Sequence, residues 1–140
     1  MRRIIIVGIA LAAVLAVLIQ FVPVGAGENP PVEVPIAWDS PETEALVRGA
    51  CLDCHSHETR WPWYSRIAPV SWLVAYDVRD GRDHMNFSTG EFDLEEIVEE
   101  IERGTMPPAI YKPLHPDANL SDAQRQQLIA GLQATFGVSG

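Results

Sequence analysis

After Met1, Arg2 and Arg3 the chain is almost continuously apolar from Ile4 to Val22, with Gly8 and Gln20 as the breaks. About 20 apolar residues cross a roughly 30 Å hydrocarbon core as one helix. The two arginines ahead of the run predict an N-inside orientation. A signal-peptide core is shorter, about 7–15 residues, so the length favours a retained anchor. Cleavage stays open, because Val24, Gly25 and Ala26 put small residues where a signal peptidase cuts. By either route residues 27–140 end outside the cytoplasmic membrane. The pattern divides the chain into an anchor or signal segment at 1–24, a proline-rich linker at 25–39 and a domain at 40–140. Pro30, Pro31 and Pro35 exclude a helix from the linker and favour an extended spacer. An extended strap lying on the domain is the other use of such a segment, and Trp38 favours it.

Helical periodicity dominates the rest. Ser40 before Pro41 is an N-cap with proline at the first helical position, and predicts a helix from Pro41 to about Gly49. Its apolar stripe would be Ala45, Leu46 and Ala50. Asp93 and Glu96 form a capping-box pattern ahead of Leu94, Ile97, Val98 and Ile101, which share one face, and Gly104 ends that helix. Ser121 and Gln124 repeat the pattern before Leu128, Ile129, Leu132 and Phe136, with Gly137 at the close. Pro69 to about Asp80 predicts a fourth helix with Trp72, Leu73 and Tyr76 inward. No run alternates with the period of a strand. The predicted class is all-α.

Charge narrows the partners. The net charge is −9, from 10 basic and 19 acidic residues, and two of the basic ones are Arg2 and Arg3. So acidic a domain is repelled by a phosphate backbone, which argues against nucleic acid and for a partner with a basic docking surface. At 140 residues there is room for one domain and one extra segment.

The chemistry lies in Cys51-Leu52-Asp53-Cys54-His55, which holds both cysteines of the chain. A thioredoxin-like couple needs a strand–helix–strand setting, which is absent from the pattern. A structural zinc site needs four ligands, and there is no second cysteine pair. The spacing matches covalent attachment of a c-type haem: two thiols on one turn reach the two vinyl groups, and the next imidazole lies under the iron. The attachment takes place outside the cytoplasmic membrane, where the N-terminus would send the domain.

The order helix, Cys-x-x-Cys-His, Gly-x-Met-Pro, helix resembles class I cytochrome c. More closely, the chain resembles the small bacterial haem-binding domain family related to it. The residues carrying the likeness are Cys51 to Ser56, Trp61 to Ser65, Ile67 to Trp72, Gly81-Arg82, His84, Asn86 to Ser88 and Gly104 to Pro108. The resemblance covers about residues 40–136. It implies a cytochrome c-like helical domain around one covalently attached haem c, behind a single membrane anchor. It also implies a methionine before proline as second axial ligand, here Met106. Met106 is far enough along the chain from His55 to fold over the opposite haem face, and Pro107 and Pro108 restrict its loop. His84 and His115 remain alternatives, Met85 is a further thioether, and His57 is too near His55. By analogy with class I cytochromes, the Pro69 carbonyl would accept the other ring N–H of His55.

Trp61, Trp63 and Trp72 follow the motif and would fill space against a haem, or ordinary core. Arg60, Arg66, Arg79 and Arg82 are the central arginines, one or two of which would serve the haem propionates, a solvated surface role being the better reading for any single one. The expected function is a single-haem electron carrier with His55 and Met106 on the iron, and not an enzyme. The alternative is a haem sensor or peroxidase-like domain with an open distal site.

Overall fold

A computed structural model describes residues 1–137, and their regular elements are helical apart from one isolated β-bridge between Asn86 and Glu91. Helix α1 is Arg2–Leu18, α2 Pro41–Ala50, α3 Leu52–His55, α4 Val70–His84, α5 Leu94–Arg103 and α6 Asp122–Phe136. The described residues form two compact units, 1–28 with 60–77, and 29–59 with 78–137.

The second unit holds the main core. Its helix ends follow the side chains at them. Ser40 Oγ accepts the Thr43 N–H at 3.1 Å to start α2, with Pro41 in the first turn. Asp93 Oδ1 accepts the Glu95 N–H at 2.8 Å to start α5. Gly104, at φ +71°, ends α5 in the left-handed conformation that glycine adopts without steric cost. Ser121 and Gln124 close a reciprocal capping box on α6. Val47, Ile97, Ile101, Leu128, Ile129 and Leu132 then meet in one core with Leu52 and Phe87. Trp38, Phe92 and Phe136 extend it, with Phe92 and Phe136 edge to face at 4.8 Å.

The face of α2 turned inward differs from the expected stripe. Thr43, Val47 and Gly49 are buried, Leu46 and Ala50 are half-buried, and Ala45 is exposed. The close approach of α6 decides this. A Cβ on Gly131 would fall 2.7 Å from Thr43 Cγ2, so α2 and α6 touch at Thr43 and Gly131.

From Asn29 onward the proline-rich segment lies on the domain, so the strap alternative describes it and a free spacer does not. The N–H groups of Glu33 and Val34 both donate to the Ser88 carbonyl at 2.9 Å. Asn29 Nδ2 donates to the Thr59 carbonyl, and Ile36 and Trp38 pack on the core. Proline removes the N–H groups a helix needs and leaves carbonyls for long-range partners.

In the first unit, α1 continues as a 3-10 turn at Ile19–Phe21, and every residue of α1 is exposed. Residues Arg2–Phe21 are long and apolar enough to cross a membrane. Gln20, the polar break in that run, holds the unit together. Its Nε2 donates to the Ala68 carbonyl at 3.2 Å and its Oε1 accepts the Ala68 N–H at 2.9 Å. The fourth predicted helix is present as α4, but its orientation is reversed from the expected one. Ser71, Ala75 and Val78 are buried, whereas Trp72, Leu73 and Tyr76 are exposed. Small residues let a helix backbone sit close to its neighbour, and these three lie on one side of α4 at helical spacing.

Candidate functional site

Helix α2 delivers the chain to Cys51, which lies between two helices with φ −125° and ψ −47°. The N–H groups of Cys54 and His55 both return to the Cys51 carbonyl, at 3.1 and 2.9 Å. Two thiols and an imidazole therefore issue from a single turn. No disulfide joins the two cysteines. Burial, and secondarily the Cys54 neighbour, push the Cys51 thiol up to about 12. A redox couple of the thioredoxin type needs the opposite, a thiol whose pKa is depressed.

The His55 ring is held by backbone. Its Nδ1 lies 2.8 Å from the Gly81 carbonyl oxygen and 3.4 Å from that of Met85. With carbonyls as partners Nδ1 carries the proton and donates, so the lone pair of the neutral ring is on Nε2. Burial moves the His55 pKa below its ordinary value, opposed by the Gly81 and Met85 carbonyls and by Asp80, and reinforced by His84. Burial thus favours the neutral ring that a metal needs. Gly81 takes the role expected of Pro69. The Pro69 carbonyl instead accepts the Trp72 N–H at 3.0 Å, in the first turn of α4.

Glycine is required at this crossing. A Cβ on Gly81 would lie 2.8 Å from the Cys54 carbonyl oxygen and 3.1 Å from Cys54 Cβ. Backbone on backbone cannot yield cheaply. Gly81→Ala is expected to destabilise the haem-loaded protein by about 1–3 kcal/mol, read as a lower thermal midpoint. An unchanged midpoint would show that the α3–α4 contact is looser than described.

The turn after the motif is equally fixed. Ser56 Oγ donates to the Leu52 carbonyl at 2.7 Å, and the Phe87 N–H to the His55 carbonyl at 2.9 Å. Arg82 Nε donates to the Ser56 carbonyl at 2.8 Å, and its Nη2 to Thr59 and Asn29. Of the four central arginines, Arg82 thus holds backbone and strap. Arg60 and Arg66 belong to the unit of α1, and Arg79 is exposed.

Met106 is in the same unit as the cysteines and His55, on the loop that α5 sheds at Gly104. Thr105 Oγ1 and the Met106 N–H both donate to the Glu100 carbonyl, at 3.0 and 3.4 Å, and Met106 is 40 % exposed. Farther along this loop, the Tyr111 hydroxyl donates to Asp53 Oδ2 at 2.8 Å. Asp53 is a buried residue inside the cysteine motif, so the methionine loop is bonded directly to that motif. The Tyr111 ring stacks on His115 at 3.6 Å. Sequence reasoning missed this pair, for which a lone Asp and a lone Tyr give no signal.

The other ligand candidates are accounted for. His57 Nδ1 donates to the Pro31 carbonyl at 2.8 Å, and its Nε2 accepts from Asn86 Nδ2 at 3.0 Å. That tautomer follows because Asn86 Oδ1 already accepts the Ser88 N–H. His84 is exposed at the last position of α4, and His115 Nδ1 bonds to the Tyr111 carbonyl. Met85 is half-buried against the core. Trp61, Trp63, Pro69 and Trp72 fall in the unit of α1, not in that of Cys51, Cys54, His55 and Met106.

A profile of the haem-binding domain family matches residues 14–134. The chain belongs to the haem-binding domain family. No curated protein and no solved structure matches it. The donor set fits what such a domain holds. His55 offers Nε2 from a ring oriented at Nδ1, two thiols stand on the same turn, and a thioether stands on a loop bonded to that turn.

Proposed function

We propose that this haem-binding domain is a membrane-tethered c-type cytochrome that carries electrons on the outer face of the cytoplasmic membrane. Cys51 and Cys54 would hold one haem through thioethers, and His55 and Met106 would be its axial ligands. The observation that carries this reading is the turn at Cys51–His55. It presents both thiols beside an imidazole whose Nδ1 is bonded to the Gly81 carbonyl 2.8 Å away.

Bound haem supplies a one-electron ferric–ferrous couple. The chain's own part is to fix the ligands. His55 keeps its Nδ1 proton on Gly81, which orients the ring and raises the basicity of Nε2. The Tyr111–Asp53 bond ties the Met106 loop to the same turn. The interlocked core of α2, α5 and α6 gives that turn a rigid base. Helix α1 would serve as the tether. The acidic surface favours a redox partner with a basic patch. The protein acts as a carrier in this reading, with no substrate of its own.

Optical spectra of the oxidised and reduced protein test it, together with exposure of the reduced form to carbon monoxide. The expected spectra are low spin in both states, with slow and incomplete carbon monoxide binding. A high-spin spectrum with immediate binding would replace the carrier by a sensor or peroxidase-like domain with an open distal site.

A further inference from the structure

The exposed side of α4 changes character along its length. Val70, Trp72, Leu73 and Tyr76 are exposed over its first two turns, and from Asp77 the exposed positions are charged or polar: Asp77, Arg79, Asp80, Asp83 and His84. The preceding loop continues the apolar part with Ile67 and with Trp63, which is 76 % exposed. Large apolar side chains left outward in this density are not an ordinary water-facing surface.

Their position explains them. The Gln20 side chain, at the C-terminal end of the membrane-length run Arg2–Phe21, is bonded at both its ends to the Ala68 backbone. Where such a helix leaves the hydrocarbon, Trp and Tyr are favoured, because their rings are apolar at one end and polar at the other. Three of the four tryptophans of the chain, Trp61, Trp63 and Trp72, lie in this unit. Arg66, in the same unit, is also exposed.

We propose that residues 63–76 are a membrane-interface foot, with Trp63, Ile67, Val70 and Leu73 seated in the headgroup and upper acyl region of the outer leaflet. The apolar-to-charged change at Asp77 then marks where α4 leaves the interface for water. The inference rests on α1 crossing the membrane, as in the proposed function. It gives the aromatic motif a binding partner, the bilayer.

Photo-crosslinking of the full-length, haem-loaded protein tests this in nanodiscs of phosphatidylethanolamine and phosphatidylglycerol. The photoreactive residue p-benzoylphenylalanine is placed singly at Val14, Trp63, Leu73 or Asp80, and adducts are identified by mass. Lipid adducts at positions 14, 63 and 73, with at least tenfold less at 80, are the expected result. Lipid adducts at 14 while 63 and 73 react with haem, with protein or not at all would overturn the foot and leave the anchor standing. Absence of lipid adducts at 14 as well would overturn the anchor, and the foot with it.

Discussion

Replacing Cys51 and Cys54 together by alanine is expected to yield a protein that surrenders all its haem to acidified organic solvent. It is also expected to lower the thermal midpoint by more than about 10 °C. The first effect follows if the thiols are the covalent link. The second follows from size. The domain is small, and its main core gathers beside the motif, with Leu52 and Cys51 themselves in contact with it. A ligand bound to the native state alone adds directly to stability. In a domain of this length about 2 kcal/mol corresponds to roughly 10 °C or more. A double variant that melts with the parent and keeps its haem through extraction would show that the two thiols play no part in holding it.

Met106→Ala is expected to change the electronic state of the iron and not the fold. The side chain is partly exposed on a loop, so its loss leaves the core intact. If its sulfur binds iron, the oxidised variant moves toward high spin and loses the sulfur-to-iron charge-transfer band. The reduced variant binds carbon monoxide at once. The reduction potential falls, since a thioether favours ferrous iron and axial ligands span roughly 0.8 V. His84→Ala should change none of these. The reverse pattern would make the protein a bis-histidine cytochrome of lower potential. If neither substitution alters the spectrum and the parent is already high spin, the carrier reading gives way to the open-site alternative.

The parts of the fold legible in the sequence are those governed by neighbours along the chain. Ser40, Asp93 and Ser121 start helices because their side chains reach N–H groups two or three residues on. Gly104 ends one because only a local backbone angle is involved. The cysteine motif is local in the same sense. What escaped depends on partners far away. The strap at Asn29–Trp38 reads as a linker until the Ser88 carbonyl is known to receive Glu33 and Val34. The outward turn of Trp72, Leu73 and Tyr76 was hidden because an amphipathic stripe shows which residues share a side, not which side meets the core.

At the site, the acceptor for His55 could not be read directly, since a backbone carbonyl has no residue type. One signal pointed to it. Gly81 is in the interior of α4, where glycine costs about 1 kcal/mol relative to alanine and so marks a close approach. Gln20 was a similar signal, a polar residue inside the apolar run whose partner proved to be Ala68. The Tyr111–Asp53 bond had none.

The covalent link is the centre of the proposed function, and the intact mass of the denatured full-length protein measures it most directly. Made alongside a cytochrome c maturation system, the chain is expected to carry the added mass of one haem. That mass should localise to the peptide containing Cys51 and Cys54. A denatured chain at the mass of the bare polypeptide, with haem recovered separately, would contradict it.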